Sequence, residues 1–308
     1  MCGSTEPIFV RHAHLELVRV ILSLQNHPDT ETKNSSVYGT PGVGKSVFAS
    51  LLVLYLAAES PGSVVLYTAC NSTSENMFLV FCPGGDVQYM SAPDGAALIS
   101  RLGGSSDNAL VWVIVDGYQP HAGTLTETKN RRLRTVMVSS SNLEKKDWLH
   151  EWDKHVHFRL LMPPFSWEEM EQALTIRTPP EQLQARLVVA SERFAVFGGI
   201  PRLVLSNAPR VNIWIRNVLP GSGKELFFRT LTDTAEGLDT ATYYGKSRLI
   251  HLYPPSELPE DADSWLEYEL KLPQFASEIV STELMHRLDQ VGKEEAAAKL
   301  QEACVHDD

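Results

Sequence analysis

Gly39-Thr40-Pro41-Gly42-Val43-Gly44-Lys45-Ser46 decides the fold, because it fits the pattern G-x-x-x-x-G-K-[ST] in full. Its glycines let backbone N–H groups turn inward and face the phosphates of a nucleotide. A helix opening at Lys45 directs its positive dipole end at the same point. Lys45 adds a point charge for the terminal phosphates, and the Ser46 hydroxyl is an Mg²⁺ ligand. A short strand closing at Val37-Tyr38 and the helix of KSVFASLLVLYLAAE, apolar nearly all round and so expected to be central and buried, give the loop its required setting. The nucleotide-binding set is therefore Gly39, Thr40, Pro41, Gly42, Val43, Gly44, Lys45, Ser46 and Val47.

Working outward, Leu110-Val-Trp-Val-Ile-Val-Asp116 is an apolar strand ending in an acid. At the C-terminal edge of a parallel sheet, Asp116 comes to lie beside the loop and can hold Mg²⁺ through water. Gly117 follows where hydrolysing members of this class often carry a glutamate, so no second acid stands next to Asp116 to orient water. The strand Thr135-Val-Met-Val-Ser139 leads into Ser-Ser-Asn142. Ser139 or Asn142 can sense the γ-phosphate there, and Asn142 can equally be a helix N-cap. Phe197-Gly-Gly-Ile-Pro-Arg202 puts an arginine on the first turn of a helix. Arg202 either reaches back over the phosphates from a lid or is a surface residue at a helix–helix turn. Lys129, Arg131, Arg132 and Arg134 form a cationic run that reads first as a solvated loop entering a strand, and second as an arginine supplied to a neighbour's nucleotide or a nuclear-import patch.

The rest of the chain alternates strands and helices, the pattern of a mostly parallel sheet covered by helices. A helix is expected over His14–Gln25. Strands are expected over Val64–Tyr67, Phe78–Phe81 and Val87–Met90, the last two as a hairpin around CPGGD, and a helix over Asp94–Leu102. Phe158–Met162 is a further strand, and Ser166-x-x-Glu169 is a capping box opening a helix. A second helix runs from Glu181 to Phe197, and Pro201 starts a third. Helical segments are expected at Val211–Leu219 and Glu278–Leu288, with a Pro-rich acidic loop between. The fold class is α/β: an additional-strand (AAA/STAND-like) P-loop core with a mostly parallel sheet, a helical lid and a C-terminal α-rich region. The divisions are 1–33 as a helical lead-in, 34–165 as the core, 166–219 as the lid and 220–308 as an acidic continuation.

Composition narrows the function classes. The chain has 308 residues, is 43% hydrophobic and 21% charged, and carries a net charge of −11. These values exclude a fibrous or wholly disordered chain. They also argue against a surface that grips nucleic acid or anionic membrane along its whole length. From Pro255 to Asp308 there are 14 acidic and 4 basic residues, so this end carries nearly all of the net charge and reads as a solvated helical surface. Cys2, Cys70, Cys82 and Cys304 match no zinc spacing and no disulfide framework, which points to reduced thiols in an intracellular setting. No signal peptide is visible, and the longest apolar run, Val47 to Ala58, is too short to span a membrane. Two decoys are set aside. Gly221-Ser-Gly-Lys224 lacks the first glycine and the Ser/Thr of a P-loop, and Glu269-Leu-Lys271 is a nuclease-like ExK that is common by chance.

Ile8-Phe-Val-Arg11, the P-loop, Val115-Asp116-Gly117, the serines after Val138, Met162-Pro-Pro-Phe-Ser-Trp167 and Gly198-Gly-Ile-Pro-Arg202 occur in an order that resembles the Crinkler effector family and the related retrotransposon hot spot proteins. The resemblance covers roughly Ile8 to Leu205 and continues faintly to Val280. It implies an additional-strand P-loop module with a helical lid, in a protein secreted into a host cell and acting in its nucleus or cytoplasm. It also implies a host nuclear protein or DNA-associated partner.

The function expected is binding and slow hydrolysis of ATP or GTP with Mg²⁺, using Lys45, Asp116 and Arg202 as catalytic residues and Ser46 and Asp116 at the metal. The alternatives are a nucleotide-gated switch with little turnover, and a hot-spot-like nuclear protein or nuclease-associated ATPase. A homo-oligomer is compatible with either, and no membrane partner is expected.

Overall fold

The computed structural model describes residues 8–26, 34–60, 62–69, 77–103, 110–117, 133–139, 158–205, 250–253 and 272–275, with Glu278 and Thr282. In chain order the elements are α1 (His12–Asn26), β1 (Asn34–Tyr38), α2 (Lys45–Glu59), β2 (Val64–Ala69), β3 (Met77–Phe81) and β4 (Val87–Ser91). They continue with α3 (Ala92–Gly103), β5 (Val111–Asp116), β6 (Leu133–Val138), β7 (Phe158–Leu161), α4 (Trp167–Arg177), α5 (Pro180–Phe197) and α6 (Pro201–Val204). Two short strands, β8 (Ile250–Tyr253) and β9 (Leu272–Phe275), complete the set.

Seven strands form one sheet in the order β4-β3-β2-β5-β6-β1-β7. β2, β5, β6, β1 and β7 are parallel to one another. The β3–β4 hairpin adds antiparallel strands at one edge. The decisive feature is β6, which pairs with β1 on one side and β5 on the other. A strand therefore stands between the P-loop strand and the strand ending at Asp116, which is the additional-strand arrangement. The mixed α/β fold with a mostly parallel sheet is thus seen directly.

Parallel strands need helical crossovers, and those helices cover both faces of the sheet. Alternate residues of β5 show the division. Trp112 and Ile114 join a core with Phe48, Leu52 and Leu56 of α2 and Ile21 and Leu24 of α1. Val111, Val113 and Val115 point the other way, into a core with Ile99 of α3 and Phe78 and Val80 of β3. Each such fully buried aliphatic or aromatic side chain contributes about 1.5–3 kcal/mol relative to exposure.

Helix α2 corrects one expectation. Its near-continuous apolar sequence suggests burial all round, yet Leu54 is 53% exposed and Tyr55 42% exposed among the described residues. The helix lies on one face of the sheet, so only the Phe48, Ala49, Leu52, Val53 and Leu56 side packs inward.

The three helices expected from Ser166 onward are present. Ser166 accepts a hydrogen bond from the Glu169 N–H, and the Glu169 side chain reaches back to the Ser166 N–H, making the capping box of α4. Helix α5 ends at Gly198, whose φ of 58° lies in the left-handed region. Gly199 has no room for a side chain, because a Cβ there would run into the Phe165 carbonyl. Met170, Leu174, Ala190 and Val204 close a small core among α4, α5 and α6.

Beyond Leu205 the sequence reading named no strands, whereas β8 and β9 pair antiparallel. The expected helix at Val211–Leu219, the acidic loop and both decoys lie outside the described residues. No helix among the described residues is long and apolar enough to cross a membrane.

Candidate functional site

The P-loop leaves β1 at Gly39 and enters α2 at Lys45. Gly42 and Gly44 hold φ values of 94° and 97°, which only glycine adopts without strain. Gly44 is the N-cap of α2, and no side chain caps that helix end. Its first N–H groups are therefore open to an anion, as the sequence pattern requires. Val43 is fully buried in the core beneath and anchors the loop.

Lys45 is only 9% exposed, and its Nζ donates to the carbonyls of Gly39 at 2.7 Å and Thr40 at 2.9 Å. Burial lowers its pKa to about 7. The Asp116 carboxylate acts against that shift and the Arg202 guanidinium adds to it. A buried amine facing a second cation is an environment that a polyphosphate would relieve.

Asp116 ends β5 as expected. The Tyr67 hydroxyl donates to its Oδ2 at 3.4 Å, and the Ser46 hydroxyl lies near enough to favour its charged form. Burial raises the Asp116 pKa, although both hydroxyls and Lys45 favour the charged form. Burial and the neighbouring carboxylate push the Tyr67 phenol up to about 12, so it stays a donor. Ser46 and Asp116 thus form an oxygen-only pair, the donor chemistry that suits a hard cation such as Mg²⁺.

Gly117 has a φ of 66°, and its N–H donates to the Val138 carbonyl at 2.8 Å. The chain turns left-handed immediately after Asp116, and this disfavours a glutamate at that position. Ser139 is 6% exposed, and its N–H donates to the Val37 carbonyl at 3.0 Å. That places it at the sheet edge between the P-loop strand and Asp116. Asn142, Lys129, Arg131 and Arg132 lie outside the described residues. Arg134 belongs to β6 and stacks over Trp112 at 5.2 Å.

Arg202 is exposed, as its surface reading has it, and its side chain also lies beside the P-loop. A Cβ added to Gly42 would meet Arg202 Cβ at 3.1 Å and Arg202 Cδ at 3.7 Å. Pro201 and Arg202 open α6, and the tight packing of Gly199 on Phe165 carries that helix back over the P-loop.

Two contributors escaped the sequence reading. Tyr67 carries no motif and becomes visible only through β2–β5 pairing, where Tyr67 faces Ile114, two residues before Asp116. Arg11 is 1% exposed; it donates to the carbonyls of Pro163 and Pro164 at 2.8 Å each and pairs with Glu169 at 2.8 Å. It also lies 4.0 Å from the centre of the Phe165 ring. Arg11 therefore ties the start of α1 to the end of the sheet and the lid.

No family model and no curated protein matches the chain. Solved structures similar to it include domain III of the replication initiation protein DnaA from Thermotoga maritima, with 12% identity, 71% of this chain and 90% of that one covered, and a TM-score of 0.38. Drosophila ORC bound to DNA has 14% identity, 79% and 73% coverage and a TM-score of 0.43. Cdc6p from Pyrobaculum aerophilum has 12% identity, 94% and 88% coverage and a TM-score of 0.41. These findings correct the Crinkler and retrotransposon hot spot resemblance, which is withdrawn: the solved structures similar to the chain are of other proteins, and no family match supports it. The expectations of secretion and host action rested on that resemblance alone.

Proposed function

We propose that the chain is an Mg²⁺-dependent nucleoside triphosphatase that binds a nucleotide such as ATP and hydrolyses it slowly. The observation that carries this reading is the convergence of Lys45, Arg202 and the Ser46–Asp116 pair on one glycine-rich loop. The open N–H groups of α2 would bind the phosphates, and Lys45 would exchange the Gly39 and Thr40 carbonyls for the terminal phosphate. Ser46 and Asp116 would hold Mg²⁺, which would supply neutralising charge for the phosphates. Arg202, reaching in from the lid, would stabilise charge developing on the γ-phosphate.

Slow turnover follows from Gly117. A carboxylate occupied with the metal's water shell is a poor base, and a positioned base typically contributes a factor of about 10²–10⁴. Turnover below the common enzyme value of about 10 s⁻¹ is expected. The same feature favours the second reading, a switch that binds nucleotide tightly and signals through the Arg202 lid. Phosphate release by the purified chain, with and without Mg²⁺, separates the two. Slow Mg²⁺-dependent release that is lost in Asp116→Asn supports the hydrolase. Tight binding with no release supports the switch.

A further inference from the structure

His14 is 2% exposed on the first turn of α1. Its Nδ1 accepts the Arg11 N–H at 3.4 Å, which leaves the ring proton on Nε2. That Nε2–H is buried and has no partner among the described residues. The same atom is the one a Cβ on Gly44 would meet, at 4.0 Å. Because Gly44 has no side chain, none stands between this donor and the point where the P-loop enters α2. The ring is fixed by Phe48 at 6.1 Å and by the anchored Arg11 beside it. A buried donor held this firmly calls for an acceptor.

We propose that the His14 Nε2–H donates a hydrogen bond to the neutral sugar–base part of the bound nucleotide, so that the site prefers a nucleoside triphosphate to a bare polyphosphate. The inference rests on the nucleotide-binding reading above. Two observations choose the neutral part over a phosphate. Lys45 and Arg202 already supply positive charge to the loop. Burial first, and the Arg11 guanidinium second, lower the His14 pKa to about 4 against the opposing pull of Glu169, so the ring is a neutral donor. A neutral donor suits a ring nitrogen or a ribose oxygen.

The test is titration of the whole chain with Mg²⁺-ATP and, separately, with inorganic tripolyphosphate. In His14→Phe, Mg²⁺-ATP should bind about tenfold more weakly, a change of about 1.4 kcal/mol, while tripolyphosphate binding stays as in the wild type. His14→Gln, whose amide can donate, should retain most of the affinity. His14→Met removes the donor on a more adaptable side chain and serves if the Phe variant does not fold. Equal losses for both ligands would overturn the proposal by making His14 a support of the P-loop. Unchanged ATP binding in the Phe and Met variants would overturn it by showing that the donor takes no part in holding the nucleotide. A wild type that binds neither ligand would overturn the nucleotide reading itself.

Discussion

Arg202 stands against Gly42: a Cβ on Gly42 would lie 3.1 Å from the Cβ of Arg202 and 3.1 Å from Ile200 Cγ2. The lid and the P-loop are therefore in contact across a glycine that also needs its φ of 94°. Gly42→Ala should destabilise the protein by about 1–2 kcal/mol through backbone strain. It should also push Arg202 outward and reduce turnover. Thermal unfolding and phosphate release measured on the same variant check both effects.

Glu169 serves two structures at once, the capping box of α4 and the ion pair with Arg11. Removing it leaves a guanidinium with 1% exposure facing two carbonyls and the Phe165 ring. Breaking a buried pair from one side commonly costs about 3–5 kcal/mol, and the partial exposure of Glu169 puts Glu169→Ala near the lower figure. Denaturant unfolding should show a midpoint shift of that size. A shift under about 1 kcal/mol, the usual value of a surface pair, would mean that Arg11 is held by its carbonyl contacts alone.

The depressed Lys45 pKa sets a pH dependence. An unfolded lysine titrates near 10.4, whereas burial brings the folded amine to about 7. Between these values the unfolded chain holds a proton that the folded chain has lost. Stability from this group therefore rises with pH across the window, and the cost of charging it is fully present below pH 7. Nucleotide binding runs the opposite way, because phosphates restore the ammonium and binding takes up a proton above pH 7. Mg²⁺-ATP affinity should fall more than about tenfold between pH 7 and 9, with proton uptake visible by calorimetry in buffers of different ionisation enthalpy. Affinity flat across that range would show that Lys45 is already charged in the free protein.

Gly117 supplies the fourth prediction. A Cβ there would meet nothing within 4 Å, so the obstacle to a glutamate is the left-handed backbone and not space. Gly117→Glu should cost roughly 1–2 kcal/mol of stability and raise turnover toward the roughly 10²-fold that a positioned base can contribute. Unchanged turnover in a folded variant would mean that another group already orients the water.

The legible parts of the molecule are those where one local rule dominates. The P-loop, the strand ending at Asp116 and the Ser166–Glu169 capping box each follow from residue types at fixed spacing, and the structure places all three as read. Arg202 could not be assigned from sequence. Its reach over Gly42 depends on Gly199 packing against Phe165, a contact between segments more than thirty residues apart. Tyr67 was hidden for a similar reason, since its tie to Asp116 depends on β2 lying beside β5. Arg11 is a charged residue near the chain start, yet it is buried because two prolyl carbonyls and Glu169 together accept its donors. The α2 misreading shows the converse limit, since apolar composition does not say which side of a helix has a sheet to meet.

The most direct measurement is calorimetric titration of Mg²⁺-ATP into the wild-type chain and into Lys45→Ala at pH 7. Charge-assisted contacts of this kind contribute about 1.5–3 kcal/mol each, so the variant should bind roughly 10- to 150-fold more weakly. Full-affinity binding by Lys45→Ala would contradict the assignment and place the nucleotide elsewhere on the molecule.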